Sequence, residues 1–173
     1  RDSLIWDVCA APGGKSRYIL DQLTGRGHLL ATDINGRKIA QLNMEMGKAA
    51  ECVVHDGRAP LDGRPPFDAV LLDAPCTALG LVRRHPEIRW RRTEQDVRDR
   101  ADLQKKILNN VANHVRPGGI LVYSVCSDTR EEGPIQVTQF LEEREDFSLD
   151  APDFDLGRWP ANEEPGVLKL YPH

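Results

Sequence analysis

Three of the four cysteines in this 173-residue sequence stand beside residues that could give a thiol a chemical role. Cys9 precedes a Pro-Gly-Gly turn, Cys76 closes the run Asp73-Ala74-Pro75-Cys76, and Cys126 follows an apolar run. A thiolate is a strong nucleophile, and a nearby carboxyl group can hold or move a proton while it reacts. A cysteine is most often a small buried hydrophobe, and we assign that role to Cys52.

The spacing of the cysteines and the composition bound the class of protein. None of the cysteines forms the close C-x₂-C pair that is typical of zinc sites, so we expect no metal. Thiols spaced in this way favour a reducing compartment, and we expect a cytoplasmic protein. No apolar run approaches the roughly 20 residues that cross a bilayer, and no secretory signal opens the sequence. Apolar residues make up 40% and charged residues 29%, which fits one globular domain over residues 1–173.

The elements that must position these thiols alternate along the chain. Short apolar runs predict strands at residues 4–9, 28–33, 51–55, 67–73 and 120–124. Amphipathic stretches predict helices at residues 16–23, 37–46, 94–115 and 135–144, with a Pro-Gly-Gly stop for the third helix at residues 117–119. Alternating strands and helices are typical of a parallel, doubly wound α/β sheet.

The chemically distinctive residues follow the carboxyl ends of the predicted strands. In chain order they are Cys9, Asp33, Asp56, Asp73 and Cys126. Since ligands bind at this edge of a parallel sheet, we expect the five residues to converge on one crevice. The adjacent glycines after Pro12 allow a ligand to approach the backbone closely and leave the first amides of the next helix free to bind it. Their spacing matches neither the dinucleotide-binding motif nor the phosphate-loop motif.

Asp33 admits two interpretations. An acid at the end of the second strand can accept both ribose hydroxyls of an adenosine-containing cofactor, whereas the alternative is a cap on the following helix. We favour the ribose role because of the residues at the neighbouring strand ends.

Residues 83–92 carry five arginines and one glutamate, although the net charge of the chain is −4. Arginines interleaved with an aromatic ring are typical of surfaces that contact phosphates and bases, and the alternative is a solvated face. The residues expected to contact RNA are Arg83, Arg84, His85, Arg89, Trp90, Arg91 and Arg92.

Three runs resemble three motifs of the Nop/Sun family of RNA 5-methylcytosine methyltransferases. They are Asp7 to Lys15, Asp73 to Cys76, and Tyr123 to Ser127; they occur in the family's order and spacing, and the match covers nearly the whole chain. Residues 83–90 further resemble the bacterial RsmB/Sun branch, which modifies small-subunit ribosomal RNA. The resemblance implies a Rossmann-like methyltransferase fold, S-adenosylmethionine as cofactor, and ribosomal RNA as partner.

The resemblance also implies a role for each matched residue. The cofactor contacts carry over onto Cys9, Ala10, Ala11, Pro12, Gly13, Gly14, Lys15, Asp33, Asp56 and Asp73. Cys126 is implied as the nucleophile that adds to carbon 6 of cytosine, which makes carbon 5 able to accept a methyl group. We expect Asp73 to assist at N3 and Cys76 to act in the release step. We expect Lys15 to lower a thiol pKa or to orient Asp73; the alternative is an ordinary helix-surface lysine.

The sequence departs from the family pattern at several positions. Ala78 stands where the family usually has glycine, so we expect a stiffer loop after Cys76. Val125 replaces the usual threonine, which removes a hydroxyl and no catalytic group. Gly133-Pro134 replaces asparagine and helix formers, so we expect the next helix to start late. The chain ends at residue 173, where the family continues into a Gly-Phe-Phe strand. We therefore expect a fragment that lacks the final antiparallel strand and the N-terminal RNA-binding domain.

Other functions stay open at this point. Pro75-Cys76 also fits a DNA cytosine-5 enzyme, and transfer RNA is another possible acceptor. A second cysteine at the end of the fifth strand favours the RNA class. An inactive RNA-binding module is the alternative from a different class, and the intact Cys76, Cys126, Asp33 and Asp73 argue against it. The residues predict neither the target nucleotide nor an oligomeric state.

Overall fold

The computed structural model describes residues 2–150, and these contain five strands. The strands are β1 (Ser3–Asp7), β2 (Gly27–Asp33), β3 (Glu51–Val54), β4 (Phe67–Asp73) and β5 (Val115–Ser124). They pair in the order β3-β2-β1-β4-β5, and every neighbouring pair is parallel. The predicted parallel α/β sheet is therefore confirmed.

Helices cover both faces of this sheet. They are α1 (Gly14–Leu23), α2 (Gly36–Met46), α3 (Ile88–Arg91), α4 (Glu94–Ala112) and α5 (Pro134–Glu143). Successive strand residues point to opposite faces, so Leu29 packs with α1 and α2 while Leu30 packs with α4 and α5. Two apolar clusters result, one on each side of the sheet. Within residues 2–150, none of the helices combines the length and the apolar character that crossing a membrane requires.

Local sequence explains where helices α1, α2 and α4 begin. Asn35 caps α2 by accepting from the amides of Arg37 and Lys38, and Thr93 forms a capping box with Asp96 at the start of α4. The start of α1 is different, because Gly13 provides no side-chain cap and has a φ of 100°. A Cβ atom at Gly13 would lie 2.2 Å from Cδ1 of Leu42, so only glycine fits there.

The predicted end of the third helix, at residue 115, was wrong. Helix α4 ends at Ala112, and residues 117–119 lie inside β5 instead of terminating a helix. The amide of Phe67 donates to the carbonyl of His114 at 2.7 Å, so the residues that follow α4 already pair with β4 and cannot continue the helix. A register shift between Phe67 and Ala69 accommodates the Pro-Gly-Gly run, where a Cβ on Gly119 would lie 3.0 Å from the carbonyl oxygen of Asp68.

The last described helix also differs slightly from expectation. Helix α5 begins at Pro134, one residue before the predicted start, because proline suits the first turn of a helix, where its missing N–H costs nothing. The short helix α3 was not predicted. The expectation that the final antiparallel strand is missing concerns the C-terminal end of the chain, and residues 151–173 lie outside the described residues.

Candidate active site

A cavity of about 240 Å³ lies at the carboxyl ends of β1 and β4. Its lining combines the loop before α1 with the last residues of these two strands. The lining residues are Asp7, Cys9, Ala10, Ala11, Pro12, Gly14, Lys15 and Asp73. The structure therefore brings most of the residues of the first and fourth strand ends together, as the topology predicted.

Asp7 is the lining residue that sequence reasoning did not assign to the site. It is only 1% exposed, and its Oδ2 accepts from Ser16 Oγ at 2.5 Å. Its Oδ1 is buried and has no hydrogen-bond partner among the described residues. Burial raises the pKa of Asp7 to about 6. A buried oxygen without a partner is a natural acceptor for a ligand's N–H. The sequence signal that could have identified Asp7 is its position as an acid at the end of an apolar strand.

Asp33 and Asp56 lie near the cavity but are not among its lining residues. Asp33 is half-buried, and its Oδ1 accepts from the amide of Asn35 at 2.8 Å. Because Asn35 caps α2, the alternative role of helix cap belongs to Asn35 and not to Asp33. Asp56 pairs with Arg58, whose hydrogen bonds lower the pKa of Asp56 to about 2.

The thiol of Cys9 lies in the electrostatic field of these acids. Burial is the main cause that raises the pKa of its thiol to about 12, and the carboxylates of Asp33, Asp7, Asp73 and Asp56 act in the same direction. The acids that end the first four strands are thus close enough to act on one sulfur atom. The same environment keeps Cys9 protonated, so it is a wall of the cavity and not a nucleophile.

Cys76 and Cys126 form a pair of thiols beside the cavity. Their Sγ atoms lie 3.1 Å apart; Cys126 is exposed and Cys76 is half-buried. The hydrogen bond between the sulfurs lowers the pKa of Cys76 to about 7 and raises that of Cys126. The pair therefore releases its first proton easily, because the remaining S–H donates to the new thiolate, and it holds the second proton firmly.

Asp73 connects the cavity to the thiols. Its Oδ2 accepts from Lys15 Nζ at 2.5 Å, and its Oδ1 accepts from Ser124 Oγ at 2.7 Å. Of the roles considered for Lys15, the structure shows contact with Asp73. The carboxylate also contributes to raising the pKa of Cys126. A carboxylate, an ammonium group and a thiol pair at one sheet edge suit covalent addition to an electron-poor ring beside a bound cofactor.

The arginine-rich segment lies on the surface next to the Cys76 loop. Its predicted RNA contacts are all exposed: Arg83, Arg84, His85, Arg89, Trp90, Arg91 and Arg92. Trp90 is 83% exposed, which is unusual for a tryptophan that serves only the fold. Arg92 Nε donates to the carbonyl of Thr77 at 3.1 Å, so the segment is attached directly to the loop that carries Cys76.

Comparison with known proteins gives consistent matches. The family model described as 16S rRNA methyltransferase RsmB/F matches residues 1–173. Ribosomal RNA small subunit methyltransferase B of Klebsiella pneumoniae (strain 342) is 42% identical over 152 residues, which is 85% of this chain. The protein of the same name from Cronobacter sakazakii is 41% identical over 171 residues, or 96% of this chain. These alignments span 35% and 38% of the two relatives, so the chain covers little more than a third of their length.

Solved structures agree with this fold. NSun6 from Pyrococcus horikoshii, solved with SFG, has a TM-score of 0.85 and 29% identity; the match covers 98% of this chain and 44% of that one. A methyltransferase homologue from the same organism has a TM-score of 0.74 and 26% identity, covering 98% of this chain and 53% of that one.

Proposed function

The chain belongs to the 16S rRNA methyltransferase RsmB/F family, and from this membership we propose that it methylates carbon 5 of a cytosine in small-subunit ribosomal RNA, with Cys126 as nucleophile. The observation that carries the proposal is the 3.1 Å contact between Cys126 and Cys76 beside the cavity that Asp73 lines. We propose a cytoplasmic location, because the proposed substrate is ribosomal RNA.

The cavity fits S-adenosylmethionine as the cofactor. The unpartnered Oδ1 of Asp7 can accept from the ammonium group of its methionine part, and the first amides of α1 carry no side-chain cap. Asp33 is proposed to accept from the ribose hydroxyls. SFG, which accompanies NSun6 in its structure, is an S-adenosylmethionine analogue. When bound, the cofactor supplies an electrophilic methyl group to carbon 5.

Cys126 opens the proposed reaction as a thiolate. Its sulfur forms a bond to carbon 6 of cytosine, and the electrons of the carbon 5–carbon 6 double bond become available at carbon 5. Cys76 is the thiol of the pair that ionises first, so its thiolate, 3.1 Å away, accepts the proton that Cys126 gives up as the bond to carbon 6 forms. The pair Asp73–Lys15 supplies a hydrogen bond or a proton to N3.

Cys76 is proposed to act in the release step. After methylation, a base takes the hydrogen on carbon 5 as a proton, and its bonding electrons form the carbon 5–carbon 6 double bond as the bond between carbon 6 and Cys126 breaks. The sulfur keeps the electrons of that bond and leaves as a thiolate. An S–H on Cys76 lies at hydrogen-bond distance from that sulfur and stabilises it as a leaving group.

A mechanism-based trap tests the proposal. The full-length protein is incubated with S-adenosylmethionine and small-subunit ribosomal RNA that contains 5-fluorocytosine, which blocks loss of the carbon 5 substituent. We expect a covalent protein–RNA adduct in the wild type and in Cys76→Ala, but none in Cys126→Ala. Cys52→Ala, a cysteine outside the cavity, is the matched control and should form the adduct at the wild-type rate.

Two results would contradict this assignment. An adduct that persists in Cys126→Ala and disappears in Cys76→Ala would reverse the roles of the two thiols. No adduct together with no cofactor binding would favour an inactive RNA-binding module. Bisulfite mapping of the methylated RNA identifies the target cytosine.

A further inference from the structure

Glu132 is a carboxylate enclosed in the protein beside the thiol pair. It is fully buried, although it lies in the turn before α5, and nothing in its neighbouring sequence predicted that. Its Oε1 accepts from the amide of Thr77 at 2.8 Å and from Gln104 Nε2 at 3.0 Å. Its Oε2 accepts from Thr77 Oγ1 and from Thr129 Oγ1, the latter at 3.1 Å. Four donors therefore satisfy the carboxylate, as a buried charge requires.

These contacts fix the two residues that flank Cys76. Thr77, immediately after it, gives Glu132 both its amide and its hydroxyl. The carbonyl of Pro75, immediately before it, accepts from Gln104 Nε2 at 3.1 Å, and the same nitrogen also donates to Glu132. Tyr123 OH donates to the carbonyl of Glu132 at 2.7 Å. The backbone on both sides of Cys76 is thus attached to one buried group.

The cluster also reaches the loop that carries Cys126. Ser127 Oγ lies 3.2 Å from Thr77 Oγ1 and 3.2 Å from Thr129 Oγ1. In addition, the amide of Gly80 donates to the carbonyl of Cys126 at 3.1 Å, and a Cβ at Gly80 would lie 3.0 Å from that oxygen. The loops after β4 and β5 are therefore joined by contacts on both sides of the two sulfurs.

The charge state of Glu132 suits this joining role. Burial alone would raise its pKa, but the nearby Ser127 hydroxyl and the hydrogen bonds from Thr77 and Gln104 lower the pKa below the ordinary value. Glu132 therefore stays ionised and acts only as an acceptor, which is what four converging donors need.

We propose that Glu132 is a positioning residue for the thiol pair: by binding Thr77 and Gln104, it holds Cys76 at hydrogen-bond distance from Cys126. The four donors that Glu132 binds are oxygen and nitrogen groups, so it acts on the sulfurs through the residues on each side of Cys76. The inference rests on the proposed function, since it concerns the geometry of the proposed nucleophile.

The test compares four variants of the full-length protein. Glu132→Gln replaces one acceptor oxygen with a donor, and Thr77→Val removes the hydroxyl while keeping the shape of the side chain. Thr77→Ser keeps the hydroxyl and serves as the conservative rescue. Glu131→Gln makes the same chemical change at the adjacent, exposed glutamate and is the matched control.

Three measurements are made on each variant: the cofactor Kd, the rate of adduct formation with 5-fluorocytosine RNA, and the pH profile of Cys76 alkylation. We expect Glu132→Gln and Thr77→Val to slow adduct formation by about tenfold to a hundredfold, because a small misplacement of a reacting group has effects of this size. Their alkylation midpoint should move from near pH 7 toward the ordinary thiol value of about 8.5. The cofactor Kd should change less than about twofold, and Thr77→Ser and Glu131→Gln should resemble the wild type.

The outcomes separate this inference from the proposed function. If the wild type forms the adduct and both Glu132→Gln and Thr77→Val keep its rate and its alkylation midpoint, the positioning role is wrong while the proposed function stands. If the wild type forms no adduct, the proposed function fails; an unshifted alkylation midpoint would then also reject the positioning role. Should Glu132→Gln fail to fold, Thr77→Val with its Thr77→Ser rescue still decides the question.

Discussion

The sulfur atoms of Cys76 and Cys126 lie 3.1 Å apart although the residues are 50 positions apart in the sequence. Strands β4 and β5 pair in parallel, with Asp73 opposite Ser124, so the loops that follow them start side by side. Two thiols at this distance behave as one acid–base unit. Most of the behaviour expected of the site follows from that contact.

Removing Cys126 should make Cys76 less reactive near neutral pH. Without the neighbouring S–H, the pKa of Cys76 should rise from about 7 to about 8.5 or above. The thiolate fraction of Cys76 at pH 7 then falls roughly tenfold or more. Mass spectrometry of the Cys76 peptide after timed alkylation measures this in Cys126→Ala, with Cys52→Ala as the control. Equal midpoints in wild type and Cys126→Ala would show that the sulfurs do not share a proton.

Lys15 should matter to the reaction and hardly to stability. Lys15 and Asp73 are both substantially exposed, so their ion pair contributes at most about 1 kcal/mol. Lys15→Ala should lower Tm little, yet slow adduct formation by about tenfold or more, because Asp73 loses the cation that orients it. Lys106→Ala, on the exposed part of α4, is the control. A rate unchanged by Lys15→Ala would assign Lys15 to the surface.

Asp7 should make the cofactor-free protein less stable as pH rises. Its folded pKa of about 6 exceeds the ordinary 3.8, so its contribution is fully present below about pH 4 and is lost as pH rises through 6. Relative to wild type, Asp7→Asn should therefore gain up to about 3 kcal/mol in unfolding free energy between pH 4 and pH 7.5. Urea unfolding at several pH values measures the gain.

The same substitution should weaken cofactor binding, because Asp7→Asn puts a neutral amide where the carboxylate is proposed to accept from an ammonium group. Asp21→Asn, on the exposed face of α1, controls for the change in net charge. A stability difference that does not vary with pH would show that Asp7 titrates normally.

Ala78 should destabilise the loop after Cys76. Its φ is 61°, in the left-handed region, and a Cβ there costs about 1 kcal/mol relative to glycine. Ala78→Gly should therefore raise the free energy of unfolding by up to about 1 kcal/mol. Ala40→Gly, at an exposed position of α2, should do the opposite because glycine weakens a helix interior. Thermal or urea unfolding measures the change in the free energy of unfolding for both variants. A loss of stability in Ala78→Gly would show that the backbone at Ala78 is not strained.

The arginine-rich segment should govern RNA affinity and not the fold. Each of Arg83→Ala and Arg84→Ala should lower the slope of log affinity against log salt by about 1 if the arginine contacts a phosphate. Trp90→Ala should cost about 1–3 kcal/mol of binding if the ring stacks on a base, with an unchanged Tm because the ring is exposed. Fluorescence anisotropy at several salt concentrations tests both. Arg98→Ala, an exposed arginine of α4 paired with Glu94, is the control; an equal effect there would mean that only net charge matters.

Sequence patterns predicted the sheet and the edge that carries the site, but not the contacts that organise it. Strand β4 has the predicted bounds because proline precedes its apolar run and an acid ends it. The end of α4 was misplaced because Val115 suits a helix face and a strand equally well. The thiol contact, the free oxygen of Asp7 and the burial of Glu132 were not predictable, since each depends on partners brought together only in the fold; Thr77, for example, is 55 positions from Glu132.

The anchoring of the Cys76 loop by Glu132 also sets the order in which the site can be completed as the chain is made. The residues that line the cavity all occur by Asp73, whereas the thiol pair needs Cys126 and its anchor needs Glu132. Synthesis proceeds from the N-terminus, and segments become available to fold in that order. The nascent chain therefore possesses every residue of its cofactor cavity about 50 residues before it possesses its nucleophile, and reactivity is acquired last.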